Sequence, residues 1–268
     1  MADSSDVSAF PRGHLFLPLL ADPKQPQFRL STWWVDTSAP LDVGGFAVFG
    51  ETFGLMRLQN EPSNSAFQIE VAGGVFAQFD LASPSSDLIN ADYTGGLPIT
   101  YRKENFSARF RVYHQSSHLG DEFLINQNPA RINLSYEAIE ILGAYDVGGF
   151  RFYGGGEYFV RTDPDDVDPG VIHLGVEYRH GTPFARFTEN TAGRWVGGVD
   201  LRMWQEDDFI PAVSFKGGME IGPESNPEEK ERYLRVLFEF YRGISPHGQF
   251  FLQDVHVLGV GMGLQIGL

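Results

Sequence analysis

The sequence has no cysteine, which excludes disulfide staples, thiolate metal sites and a cysteine nucleophile together. Cations are scarce: 20 Lys and Arg stand against 35 Asp and Glu, a formal net charge of −15. No nucleic-acid partner is expected on that ground, because affinity for a phosphate backbone comes mainly from neutralising it with Lys and Arg. Long apolar runs are missing too. No stretch approaches the ~18 residues that a spanning helix needs, although 42% of the chain is hydrophobic, too much for disorder. Met1 to Val7 carries acids and serines where a secretory signal would carry basic residues before an apolar core. A processed or a cytosolic chain is expected, and the compartment has to be argued from the strands. What is abundant is glycine, 31 residues, and aromatics, 23 Phe, 10 Tyr and 4 Trp. Glycine weakens helices and aromatic side chains suit a pleated, half-buried surface, so the composition points to an all-β fold.

A period of two runs through the chain. Phe67, Ile69, Val71 and Val75 alternate with Gln68, Glu70 and Gln78, and Phe106, Ala108, Phe110 and Val112 alternate with Ser107, Arg109 and Arg111. The pattern recurs as Ile132, Leu134, Tyr136, Ala138 against Arg131, Asn133, Ser135, Glu137, and as Phe150, Phe152, Tyr158, Val160 against Arg151, Tyr153, Glu157, Arg161. Further repeats carry Ile172 and Leu174 against His173 and Glu177, Leu201 against Asp200 and Arg202, Phe215 against Lys216, and Phe238 against Glu239. Turn signals such as Glu61-Pro62-Ser63-Asn64, Lys103-Glu104-Asn105 and Gly222-Pro223-Glu224-Ser225 divide it into about 12 strands.

Two architectures share this alternation: a soluble sandwich or barrel with its apolar rows inside, and an outer-membrane barrel with the sense inverted. The polar rows decide between them. They carry Arg and Glu in near balance with Tyr, Gln and Gly, a mixture suited to charge pairs packed in a lumen. Segments of about 9 to 13 residues also match a tilted bilayer-crossing strand better than the ~5–6 of a soluble one. Aromatics at segment ends, namely Trp33, Trp34, Tyr101, Tyr158, Tyr178, Trp195 and Tyr241, fit interfacial girdles. The expectation is a single antiparallel transmembrane β-barrel of about 12 strands over residues 27–268, in a bacterial outer membrane with its lipids as partners. Residues 1–26, with Pro11, Pro18, Pro23 and Pro26, are expected to lie across the barrel mouth or at its periplasmic rim, because proline cannot serve a central strand.

One polar continuation of an apolar row carries chemistry. Side chains two apart share a face, so His114, Ser116 and His118 extend the row from Phe106 to Val112. A His and a Ser there stand outside the barrel, at headgroup depth, where the imidazole can take the serine proton and the hydroxyl can attack an acyl ester. His114-Gln115-Ser116 resembles the His-x-Ser element of the outer-membrane phospholipase A and lipid A deacylase families. In those families a third residue, Asn or Glu, follows on the next strand about fourteen positions after the His. That resemblance implies catalytic residues His114, Ser116 and Asn128, a lipid acyl-ester substrate and, as options that spacing does not decide, a homo-oligomer and calcium. Ser117 stands where both families usually carry Asn. A broader resemblance, carried by Leu15 to Phe28, His114 to Glu122 and Arg131 to Glu137, is to a bacterial family known only as a domain of unknown function, which implies outer-membrane barrels and no activity.

A hairpin turning about Asp121 sets His114 opposite Asn128 and Arg111 opposite Arg131, whereas a turn about Phe123 sets Ser135 opposite Arg111 and Glu137 opposite Arg109. The second pairs lumenal charges better and leaves Ile132 beside His114. Two minor readings accompany the hydrolase: an acidic loop, Asp163, Asp165, Asp166 and Asp168, offers oxygen ligands for calcium without EF-hand spacing, and the charged interior suits a narrow pore or, with its charges paired, a plugged anchor. Gly154-Gly155-Gly156 lies within a strand and not before a helix, so it reads as a bend or close backbone approach, not a phosphate loop.

Overall fold

The computed structural model describes residues 5–36, 43–128, 134–223 and 232–266. Its strands are β1 (Ser5–Ala9), β2 (Phe28–Asp36), β3 (Val43–Asn60), β4 (Ser65–Asp80), β5 (Leu88–Lys103), β6 (Phe106–Leu119), β7 (Ser135–Val147), β8 (Phe150–Asp163), β9 (Gly170–Arg179), β10 (Ala185–Thr188), β11 (Thr191–Trp204), β12 (Pro211–Pro223), β13 (Arg232–Ile244) and β14 (Asp254–Ile266). One helix, α1 (Asp121–Gln127), lies between β6 and β7.

Every pairing is antiparallel, and β14 returns to β2 through Leu264 opposite Phe28 and Val260 opposite Thr32, which closes the wall. The closed ring has twelve strands, β2 to β9 and β11 to β14, while β10 adds to β11 outside the ring. The dyad sorts side chains as the outer-membrane reading requires. Phe67, Ile69, Phe110, Val112, Phe152, Leu174 and Val260 are exposed on the outer wall, whereas Gln68, Glu70, Arg109, Glu140, Glu157, Asp200 and Glu239 are buried inside. An apolar outer belt around a polar interior is the inverse of a soluble barrel.

Buried charges need partners, and the lumen supplies them. Arg109 and Arg111 share Glu140 at 2.7 and 2.6 Å, Arg179 and Arg235 share Glu220 at 2.8 and 3.0 Å, Arg202 pairs with Glu157, and His173 with Asp200 at 2.6 Å. Not every aromatic at a strand end lies outside. Trp33 and Tyr241 turn inward and pack with Phe46, Ile244 and Val257 in an internal apolar cluster, because ladder phase, and not distance from the strand end, decides the face. The close approach expected at the triple glycine is present: a Cβ at Gly155 would run into the Ile141 carbonyl.

The N-terminal segment begins at the short-turn rim and continues inward. β1 pairs with the end of β3, Ala9 opposite Met56, and β2 pairs with its beginning, Arg29 opposite Val48. β1 and β2 thus form one interrupted edge along β3. Between them the chain leaves the wall and runs through the interior. Leu15, Phe16, Leu19, Leu20, Ala21 and Asp22 are buried there. The four prolines keep the segment out of any ladder, and wall side chains satisfy its carbonyls: Arg102 donates to Leu15 (2.8 Å), Arg151 to Leu17 (2.9 Å), Ser214 to Ala21 (2.6 Å) and Lys216 to Asp22 (3.2 Å). Phe16 lies beneath the Arg109 and Arg151 guanidinium groups, 4.9 and 4.4 Å from its ring. Voids of ~10–20 Å³ lie in the interior among the described residues, and an open vestibule of ~650 Å³ lies at the short-turn end beside Arg12, Arg57 and Glu104.

Candidate functional site

β6 crosses the wall from its short turn at Glu104 and Asn105 toward the end that carries α1. Its outer row meets apolar partners at first: Phe110 lies between Ile99 and Ile141, and Val112 between Leu97 and Ile139. One step further the row turns polar. His114 lies between Gly95 and Glu137, and Ser116 between Tyr93 and Ser135. The Thr94 hydroxyl donates to the His114 carbonyl at 3.2 Å, and Tyr93 meets the His118 ring edge-on at 5.7 Å.

The side-chain contact that defines the site is His114 Nδ1 to Glu137 Oε1, 3.2 Å. Both side chains are nearly half exposed on the outer wall. With Nδ1–H donated to the carboxylate, Nε2 is left as the basic nitrogen. Ser116 follows two residues on, ~7 Å along the strand, on the same face. Among the described residues its hydroxyl has no hydrogen-bonded partner, an arrangement common before substrate binds.

Asn128 is not on a strand. It closes α1 as a left-handed cap, φ 43° and ψ 50°, with its N–H donated to the Leu124 carbonyl at 3.1 Å. Neither expected register forms. The loop spends seven residues on α1, whose start carries Asp121 and Glu122 against the positive helix end, and β7 begins only at Ser135. Arg111 consequently faces Glu140, and Ser116 faces Ser135. Arg131 and Ile132 lie outside the described residues. This register also reverses the expected faces of early β7: Tyr136 and Ala138 are buried inside with Leu134 and Phe159, and Glu137, expected in the lumen, stands outside. A glutamate in a charged row gives no sign of its face once the loop length is misjudged; only the alternation Ser135, Glu137, Ile139, Ile141 would have signalled an outward run.

Ser117 explains itself by phase. It points inward, buried, where its carbonyl accepts from Gln249 at 2.7 Å. The acidic loop gathers no ligand group. Among the described residues the sets close enough to share an ion are Asp22, His173, Asp200 and Glu140, Glu157, His173, all lumenal. Their oxygens already serve Arg109, Arg111, Arg202 and Tyr153, so they act as an ion-pair network.

Comparison with solved structures gives outer membrane phospholipase A from Escherichia coli, TM-score 0.57 at 11% identity, covering 90% of this chain and 91% of that one. The beta domain of the Bordetella autotransporter BrkA matches at TM-score 0.46 and 10% identity, covering 89% and 98%. The chain has the fold of outer-membrane barrels. No curated protein sequence matches it. A family model described as protein of unknown function (DUF1207) matches residues 5–265.

Proposed function

We propose that this chain, which belongs to the DUF1207 family, is a bacterial outer-membrane barrel that hydrolyses lipid acyl esters on its outer wall. The observation that carries the reading is the His114–Glu137 hydrogen bond, 3.2 Å, on the outer face and in one row with Ser116. In this reading Glu137 takes the third role that the resemblance had implied for Asn128. Long loops mark the extracellular end of such barrels, which sets His114 and Ser116 at outer-leaflet headgroups, where ester carbonyls lie.

Glu137 holds the imidazole with Nδ1–H toward it and stabilises the imidazolium as it forms. His114 Nε2 takes the Ser116 proton while Oγ bonds to the ester carbonyl carbon. The proton passes from His114 to the departing alcohol oxygen as the ester C–O bond breaks, leaving an acyl group on Ser116. Water, deprotonated by the same nitrogen, releases the fatty acid and restores the hydroxyl.

Refolded protein in mixed micelles should release fatty acid from phospholipid or lipopolysaccharide, and Ser116→Ala should abolish it. Unchanged release in Ser116→Ala, or none in the parent, refutes the reading. A non-catalytic anchor is the second reading, favoured by Leu15, Phe16, Leu19, Leu20, Ala21 and Asp22 lying buried within the barrel.

A further inference from the structure

We propose that Arg161 binds the phosphate of the lipid whose ester meets Ser116, so that the substrate class of this site is a phosphate-bearing, anionic membrane lipid; the inference rests on the hydrolase reading above. The first support is a break in the ladder. β7 and β8 pair Ala138 with Phe159, and an unbroken register would then set Val160 opposite Glu137 and turn Arg161 toward the lumen. The register shifts there instead: Val160 is the extra residue and Arg161 takes the place opposite Glu137, exposed on the outer wall. A bulge re-aims a side chain and adds local twist, and such bulges concentrate beside functional sites.

The second support is that Arg161 has no ion-pair partner among the described residues. Glu137, directly across, gives its carboxylate to His114, and among the described residues no carboxylate lies within ion-pair distance of Arg161. An arginine above an apolar belt presents five donors in a planar fork that matches a phosphate bidentately.

The third is position. At this level the wall reads Gly95, His114, Glu137, Arg161 across β5 to β8. Arg161 is two strand spacings, ~10 Å, from His114 along the wall. Its long side chain shortens that gap toward the few bonds that separate phosphate from ester in a glycerophospholipid. The opposite flank is open, since a Cβ at Gly95 would meet nothing within 4 Å. A lipid can therefore lie against the wall with its ester at Ser116 and its phosphate at Arg161.

The test reads binding, so that it stands apart from turnover. Ser116→Ala protein in mild detergent is offered equal amounts of phosphatidylglycerol and of diacylglycerol with the same chains, and bound lipid is counted by native mass spectrometry. Phosphatidylglycerol should be retained over diacylglycerol, and adding Arg161→Gln should lower its occupancy about tenfold, with Arg161→Lys recovering part of it. The control is Arg242→Gln, an exposed outward arginine on β13, separated from β8 by β9, β11 and β12; it should change nothing. Equal occupancy with and without Arg161, or the same loss from Arg242→Gln, overturns the proposal. Phosphate-selective binding through Arg161 in a barrel that releases no fatty acid would sustain the site and remove the hydrolase.

Discussion

Asp92 on β5 forms an ion pair with Lys24 of the lumenal segment, and the Gly248 amide, from the loop between β13 and β14, donates to both its oxygens at 3.3 and 3.1 Å. One fully buried carboxylate thus holds two separate closures of the barrel. Removing it leaves Lys24 buried and uncompensated, a change worth about 3–5 kcal/mol in comparable pairs. Asp92→Ala should therefore lower the unfolding temperature read by the gel shift between heated and unheated samples. Lys24→Met should lower it less, because Asp92 keeps the Gly248 amide and methionine keeps the contact with Phe76, which Lys24 covers at 4.7 Å. An Asp92→Ala loss below about 1 kcal/mol would show that the closures are held elsewhere.

The segment from Leu15 to Asp22 occupies the lumen. Ala9 faces Met56 and Arg29 faces Val48, eight positions apart on β3, ~26 Å at 3.3 Å per residue. A Gly-Ser linker of about nine residues replacing 11–27 can span that gap. It removes Phe16, Leu19 and Leu20 from the interior while Arg29, Arg109 and Arg151 remain on the wall. Planar-bilayer recordings should then show stepwise conductance where the parent is silent. Silence from a linker variant that still shifts on the gel would mean that the wall side chains alone fill the lumen.

The two candidates for the third catalytic position separate cleanly by mutation. Glu137→Ala should lower kcat about 10²- to 10⁴-fold with a smaller effect on KM, since the His114 tautomer and the forming imidazolium lose their partner. Asn128→Ala should leave hydrolysis unchanged and cost at most about 1 kcal/mol, because its work is a left-handed cap. Asn128→Gly, which suits that backbone, should be neutral. The opposite ranking in fatty-acid release would restore Asn128 to the site.

The inversion of the barrel was legible because it needs only alternation: Phe110 out and Arg109 in follow from phase within one strand. The outward faces of His114 and Ser116 were legible for the same reason. Their partners were not, because register between strands depends on loop length, and the helix from Asp121 to Gln127 consumed residues that a plain turn would not. Glu137 and Arg161 were misplaced together: the first by that loop, the second by a bulge at Val160 that no residue type announces. The lumenal course of Leu15 to Gln25 was hidden for another reason. Prolines forbid a ladder, but the segment is gripped by its carbonyls, from Arg102, Arg151, Ser214 and Lys216, and main-chain recognition leaves little trace in side-chain identity.

Acid should loosen the loop between β13 and β14 first. His247 is buried, stacked on Phe46 with ring centroids 5.2 Å apart, and its pKa is lowered from 6.5 to about 3, by desolvation first and then by the positive charge of Lys24. Asp92, 3.8 Å from Nδ1, opposes that shift, and Arg29 adds to it. The unfolded chain takes up a proton near 6.5, while the folded one refuses it until about 3. Between those values the unfolded state binds more protons, so stability is full above pH 6.5 and falls as pH falls, by at most about 1.4 kcal/mol per pH unit from this residue. His247→Phe keeps the stacking and removes the titration. Urea unfolding in detergent at pH 7.5, 6, 5 and 4 should show a decline in the parent that is visibly shallower in His247→Phe. Parallel declines in the two proteins would assign the acid sensitivity to other groups.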